Sequence, residues 1–168
     1  MARQGFDSEV CGLMLATGWY ATFSMVTEDR IWSEVWNPIE VYPEFGSDGM
    51  IEVAHIYSMS PAQANRKVKL MDWIVKRPFT HNVALYDYWG YDLDGDVVNG
   101  IILGDDIVKE LVKEEALTRL NDGAGLLPVF ISPVGGLPDR GSIVKGKDWQ
   151  KHFGESIVAT NEELTKNY

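Results

Sequence analysis

Asp92, Asp94 and Asp96 stand at two-residue spacing within Tyr86-Asp87-Tyr88-Trp89-Gly90-Tyr91-Asp92-Leu93-Asp94-Gly95-Asp96, and that spacing restricts what this part of the chain can become. On an extended strand, residues two apart share a face and lie about 7 Å from each other. Unit charges at that distance repel by roughly 0.6–2.4 kcal/mol per pair, for an effective dielectric between about 80 and 20. A buried strand face is therefore excluded. A turn through Gly90 and Gly95 is expected instead, because glycine accepts positive φ and Asp side chains bond their own backbone in turns.

Two chemistries suit such a turn. Hard cations such as Ca²⁺ or Mg²⁺ bind several carboxylate and carbonyl oxygens, and Asp-x-Asp-x-Asp matches the first three ligand positions of a helix–loop–helix calcium loop. The match then stops: Val97 stands where that loop has glycine, and Leu103 where it has a bidentate Glu. Asp92, Asp94 and Asp96 are thus an alternative metal-ligand set, a solvated acidic loop is the expectation, and no cofactor is called for beyond a divalent cation in that alternative. The second chemistry belongs to the rings. Tyr86, Tyr88, Trp89 and Tyr91 beside carboxylates suit a basic partner, through cation–π contacts worth roughly 0.5–2 kcal/mol each. The plainer alternative sends Tyr86 and Tyr88, as alternate residues of a strand, into the core. The candidate binding set is Tyr86, Tyr88, Trp89, Tyr91, Asp92, Asp94 and Asp96, and no residue is assigned a catalytic role.

Charge narrows the partners. The 168-residue chain carries a formal charge of −10. That balance opposes nucleic-acid binding, which needs Lys and Arg against phosphates, and it opposes anionic membrane surfaces. The distribution is uneven: nine acids and two bases in residues 1–60, five bases and one acid in residues 61–82, then six acids and no base in residues 83–106. The single cysteine, Cys11, excludes an intramolecular disulfide and fits a reducing compartment. Cys11 is expected to pack as a small apolar residue. No apolar run is long enough to span a bilayer and the first residues lack a signal core, so a cytoplasmic location is expected. His55, His81 and His152 stand far apart, and no zinc spacing, Walker loop, nucleophile elbow or dinucleotide fingerprint occurs.

The expected fold class is α+β, a single domain over residues 1–168, mainly antiparallel sheet, with principal amphipathic helices at about 60–76 and 105–121 and short terminal helices. Asp7 or Ser8 caps the first short helix and Gly18 ends it. Strand character marks Trp19–Val26 and Ile31–Trp36, with a turn at Thr27–Arg30 between them. Pro38 and Pro43 bracket an edge strand over Ile39–Tyr42, and Met50–Tyr57 follows as another strand. Glu34, Glu40, Glu44 and Glu52 are expected to line an acidic solvent face. Ser60-Pro61-Ala62-Gln63 is a capping box with proline at the first helical position. Strands are expected from Asn82 to Tyr86, from Val97 to Leu103 and from Leu126 to Ile131. A glycine-rich loop spans Ser132–Gly141, a turn of helix surrounds His152, and a second capping box opens at Thr160.

Together these features point to a non-enzymatic acidic binding protein that engages a basic protein surface. An inhibitor imitating the charge of nucleic acid is one form of it. The alternatives are a small metal-assisted enzyme using the Asp92–Asp96 cluster and a histidine, and a structural or assembly subunit. Homo-oligomers fall within either binding reading.

Overall fold

The fold, a computed structural model, is described for residues 5–26, 31–47, 49–118 and 126–133. The elements in chain order are α1 (Phe6–Thr17), β1 (Trp19–Val26), β2 (Ile31–Trp36), a 3₁₀ turn (Pro38–Glu40), β3 (Val41–Gly46), β4 (Gly49–Met59), α2 (Pro61–Leu70), β5 (Val83–Tyr91), β6 (Val97–Leu103), β7 (Asp106–Lys113), α3 (Glu115–Thr118) and β8 (Val129–Pro133). The chain is α+β and mainly antiparallel sheet. It divides into two compact units, one holding residues up to Ile39, Phe45–Gly49 and the chain from Pro128, the other Glu40–Glu44 and Met50–Leu127. No helix among the described residues is long and apolar enough to cross a membrane. The Thr27–Arg30 turn, the Gly135-Gly136 loop, the His152 segment and the Thr160 capping box lie outside the described residues.

In the first unit the sheet order is β2-β1-β8, antiparallel throughout, with Ala21 opposite Trp36 on one side and Ile131 on the other. Phe23 and Trp36 stack at 5.2 Å between centroids. Glu34 faces these rings, accepting the indole N–H of Trp36 at 2.7 Å. Gly5, not Asp7 or Ser8, holds the N-cap position of α1 at φ 102°, while Gly18 ends the helix as expected, at φ 78° with its N–H on the Met14 carbonyl. Cys11 is exposed rather than packed, because α1 buries none of its residues.

The second sheet has the order β3-β4-β5-β6-β7. β3 is its edge, and Pro43, which lacks a donor, sits there without breaking an inner ladder. β4 pairs β5 with His55 opposite Asp87 and Tyr57 opposite Leu85. β5 pairs β6 with Leu85 opposite Leu103 and Trp89 opposite Asn99. Side chains alternate across the pleat. One face, called inner below, presents Val53, His55, Tyr57, Leu85, Asp87, Trp89, Asn99 and Leu103. The outer face presents Glu52, Ala54, Ile56, Tyr86, Tyr88 and Ile102.

α2 packs on the inner face. Ser60 and Gln63 make the capping box reciprocally, each side chain serving the other's backbone N–H. The core beneath joins Met59, Ala64, Leu85 and Leu103, with Tyr57, Val68, Trp73, Phe79 and Val83 packed around them. The helix stops at Leu70, six residues short of the expected Lys76. The chain turns at Asp72 in the left-handed region, φ 53°, so that Trp73 and Phe79 fold back onto the core. Asn65 secures that return, donating to the Phe79 carbonyl and accepting its N–H, both at 2.9 Å. Burying two aromatic rings outweighs another turn of solvated helix.

The largest correction falls on residues 105–121. Instead of an amphipathic helix, their described part, as far as Thr118, contains β7 and a single turn of helix, α3. Gly104 at φ 63° and Asp105 form a two-residue hairpin connection, with Leu103 paired to Asp106. Ile107, Val108, Leu111 and Val112 do recur at helical spacing. Register shifts between Asn99 and Ile101, and again between Ile101 and Ile102, account for this. Each bulge inserts an extra residue and slips the period-two alternation. The resulting spacing imitates a helix, while the β-branched residues and the glycine turn favour the strand.

Candidate interaction surface

The acidic turn joins β5 to β6. Asp92 N–H donates to the Asp96 carbonyl at 2.9 Å, and Gly95 N–H to the Asp92 carbonyl at 3.1 Å. Asp92 Oδ1 accepts the backbone N–H of both Asp94 and Asp96 at 2.9 Å. Gly95 takes φ 84°. Gly90, by contrast, is not a turn residue. It lies in β5, where a Cβ would meet Tyr88 Oη at 2.5 Å. Tyr88 lies over that glycine and donates to Glu52 at 2.7 Å.

The turn draws its three carboxylates to within 4.8 Å of one another. No base is near them in sequence, yet one arrives from β7. Lys113 Nζ lies 3.4 Å from Asp92 and 3.8 Å from Asp94 and is hydrogen-bonded to Asp96. The backbone N–H of Asp96, ahead of that of Asp94 and of Lys113, holds the Asp92 carboxyl below its usual range. The Asp96 hydrogen bond correspondingly raises the Lys113 ammonium. Among the described residues no histidine or cysteine joins the trio. Lys113→Ala is expected to lower the melting temperature, and added Ca²⁺ or Mg²⁺ is expected to raise it again by more than in the wild type. Thermal unfolding with and without the ions checks this; equal ion responses of the two proteins would refute it.

The rings separate by strand parity. Trp89 points to the inner face and is buried, so it is not one of the exposed rings expected of a binding rim. Tyr91 is half-buried and its hydroxyl accepts the Leu127 N–H at 3.3 Å. Burial, then the Glu52 hydrogen bond and the charges of Glu52 and Glu44, push the Tyr88 phenol up to about 12. Tyr86 remains open on the outer face. It sits opposite Ile56 on β4 and Ile102 on β6, and Ile102 in turn sits opposite Ile107 on β7. Leu111 covers Gly100 in the next row. These side chains stay accessible, Tyr86 by 40%, Ile102 by 41%, Ile107 by 58% and Leu111 by 60%. Three exposed residues in register, Tyr86, Ile102 and Ile107, with the half-buried Ile56 at their end and Leu111 in the next row, exceed the scattered apolar residues of an ordinary surface. The row lies beside the β6–β7 turn; Glu52, opposite Gly90, and the Asp92–Asp96 turn lie farther along β5, toward the other end of the sheet.

The four glutamates expected to form one acidic face do not. Glu34 serves the tryptophans of the first unit, Glu52 receives Tyr88, and Glu40 lies 3.8 Å from His55.

The inner face holds polar residues that period-two reading passed over. Asn99 donates to Asp87 Oδ1 at 2.7 Å and to the Tyr88 carbonyl at 2.9 Å. Lys109 donates to Asn99 Oδ1 at 2.8 Å and bridges to Glu114. Across β4, His55 rests against Tyr57, with ring centroids 4.7 Å apart, and Lys67 of α2 donates to the Tyr57 hydroxyl at 2.9 Å. Burial lifts Asp87 from 3.8 to about 6, against the Asn99 hydrogen bond and the charges of Lys67 and Lys109. Burial, followed by the Lys67 charge, lowers His55 from 6.5 to about 4. The imidazole is therefore neutral at pH 7, and its approach to Glu40 is not an ion pair. The sequence signal for this row was Asp87 and Asn99 standing at apolar parity, between Leu85 and Trp89 and between Val97 and Ile101.

No protein-family model matches the sequence, and no curated protein matches it at a significant level.

Proposed function

We propose that this chain is an acidic, non-enzymatic binding protein that receives a basic protein partner on the outer face of its five-stranded sheet. One observation carries the reading: the outer face presents the apolar row Ile56–Tyr86–Ile102–Ile107, with Leu111 beside it, and farther along β5 toward the other end of the same sheet come Glu52 and the Asp92–Asp96 carboxylates. Apolar side chains of a partner would supply affinity on the row, and its Lys or Arg residues would be steered by Glu52, Asp92, Asp94 and Asp96. This narrows the candidate rings to Tyr86 and Tyr88, with Trp89 serving the core.

The test uses the immobilised chain in native lysate, as wild type and as the Tyr86→Lys, Ile102→Lys double variant. A basic protein is expected to be retained by the wild type, lost at high salt and lost in the variant, whose fold is verified by its melting temperature. Each exposed anchor is worth on the order of 2 kcal/mol, so the loss should approach three orders of magnitude in affinity. Retention that survives both the salt and the substitutions refutes the reading, as does retention of no protein at all.

A further inference from the structure

We infer that the concavity between the α2–β5 connection and the β6–β7 turn binds a short peptide by its two free ends, the carboxylate on Arg77 and the ammonium on Asp105. The space measures about 840 Å³; residues 76–83 form one wall, and Gly104, Asp105 and Asp106 the other. Ligand clefts run from about 300 to 1,000 Å³, so there is room for a peptide and more than a single amino acid fills. The walls are set before any ligand arrives. Asn65 holds the connection at Phe79 through two hydrogen bonds, and the backbone N–H and the ammonium of Lys76 both reach the Asp106 carboxylate, at 3.3 and 3.4 Å. Opposite, the Gly104 N–H donates to the Ala84 carbonyl at 2.8 Å. Gly104 also lets the turn close down on β5, since a Cβ there would meet Val83 Cγ2 at 2.8 Å. A preformed site loses little ordering entropy when it is filled.

Charge selects the ligand. Lys76 and Asp106 serve each other, which leaves one further base and one further acid on the walls, Arg77 on the connection and Asp105 on the turn. Neither of those side chains has an ion pair or hydrogen bond among the described residues. The site is therefore balanced in charge but divided, positive on one wall and negative on the other. An anion would gain Arg77 and meet Asp105 and Asp106; a cation would gain Asp105 and meet Arg77. A neutral ligand would take water from both charges and return nothing for it. A molecule with separated charges of both signs answers both walls. A single amino acid carries its two charges too close together for a space of this size, whereas a short peptide holds them apart. Its amides find hydrogen-bonding groups in Thr80, His81 and Asn82, and its side chains find apolar contact on Pro78 and Phe79.

Titration of the full chain with trialanine, followed by amide NMR, tests the inference. The probe is used with both ends free, with the amine acetylated, with the carboxylate amidated, and with both ends blocked. The free peptide is expected to bind with a Kd on the order of 0.1–1 mM, shifting the amides of residues 76–83 and 104–106. Blocking either end should weaken binding about tenfold, and blocking both should abolish it. Arg77→Ala should weaken the free peptide about tenfold and become indifferent to amidation while still sensing acetylation. Asp105→Asn, which keeps a turn-forming residue, should show the converse. Both variants carry exposed substitutions and should melt with the wild type. No saturable shift at about ten times the expected Kd overturns the inference. So does binding that ignores the blocking groups, or shifts that fall elsewhere on the chain.

Discussion

Asp87→Asn and His55→Gln are expected to tilt the pH dependence of stability in opposite directions. Asp87 is lifted by burial from 3.8 to about 6. Between those values the folded chain holds a proton that the unfolded chain releases, so stability falls as pH rises, by about 3 kcal/mol over the window. His55 is lowered, by burial first and Lys67 second, from 6.5 to about 4. Here the unfolded chain binds a proton that the folded chain excludes, so stability rises with pH between about 4 and 6.5, again by about 3 kcal/mol. In the wild type the two trends oppose each other across nearly one window and largely cancel. Asp87→Asn removes the falling component and should leave stability climbing from pH 4 to 6.5. His55→Gln removes the rising one and should leave stability declining toward pH 6. Asn can still accept the Asn99 hydrogen bond, so Asp87→Asn should also be the more stable protein at pH 7. Urea unfolding at half-unit intervals of pH measures all three curves. Parallel curves would show that neither group is held as described.

Asn99→Ala should destabilise the chain by about 3–5 kcal/mol, more than most single truncations in a domain of this size. Asn99 is almost wholly buried and lies between two charged groups, giving its amide N–H to Asp87 and its oxygen to the Lys109 ammonium. Alanine would take a donor from the buried Asp87 carboxylate and leave Lys109, which is partly exposed, with Glu114 alone, and a buried charge that loses a partner costs more than the bond itself gained. The loss would not stay local. Lys109 also holds Glu114, whose N–H donates to the Val97 carbonyl at 2.8 Å and whose carbonyl receives Leu117 N–H at 2.9 Å, so β7 and α3 are tied to the same chain of contacts. A double-mutant cycle with Lys109→Met locates the effect. The two substitutions should fall well short of additive. A cost below about 1 kcal/mol, or full additivity, would mean that Asn99 merely fills space.

The turn chemistry was legible in the residues because it acts over four or five positions. Asp92 bonds the N–H groups of Asp94 and Asp96, Gly95 takes the positive φ, and Ser60 with Gln63 closes the capping box. β1, β2 and β6 were readable for the same reason, their β-branched and aromatic runs being bounded by turn residues. Gly90 shows where such reading ends. Glycine signals a turn by its conformational freedom, but here it makes room for the Tyr88 ring, and nothing nearby in sequence distinguishes the two uses.

By itself, then, the sequence determined an α+β chain with much antiparallel sheet, a solvated aspartate turn, and the segregation of its charge into acidic and basic blocks. These follow from φ preferences, two-residue alternation and composition, all local properties. Tertiary structure alone decided that Lys113 reaches the Asp92–Asp96 trio, that Asp87 lies opposite His55, that Trp89 is buried while Tyr86 is exposed, and that residues 106–113 form a strand. Each of those depends on strand register. Register is set by which faces are buried, and in β7 by two bulges whose phase slip leaves no local mark in the residue order.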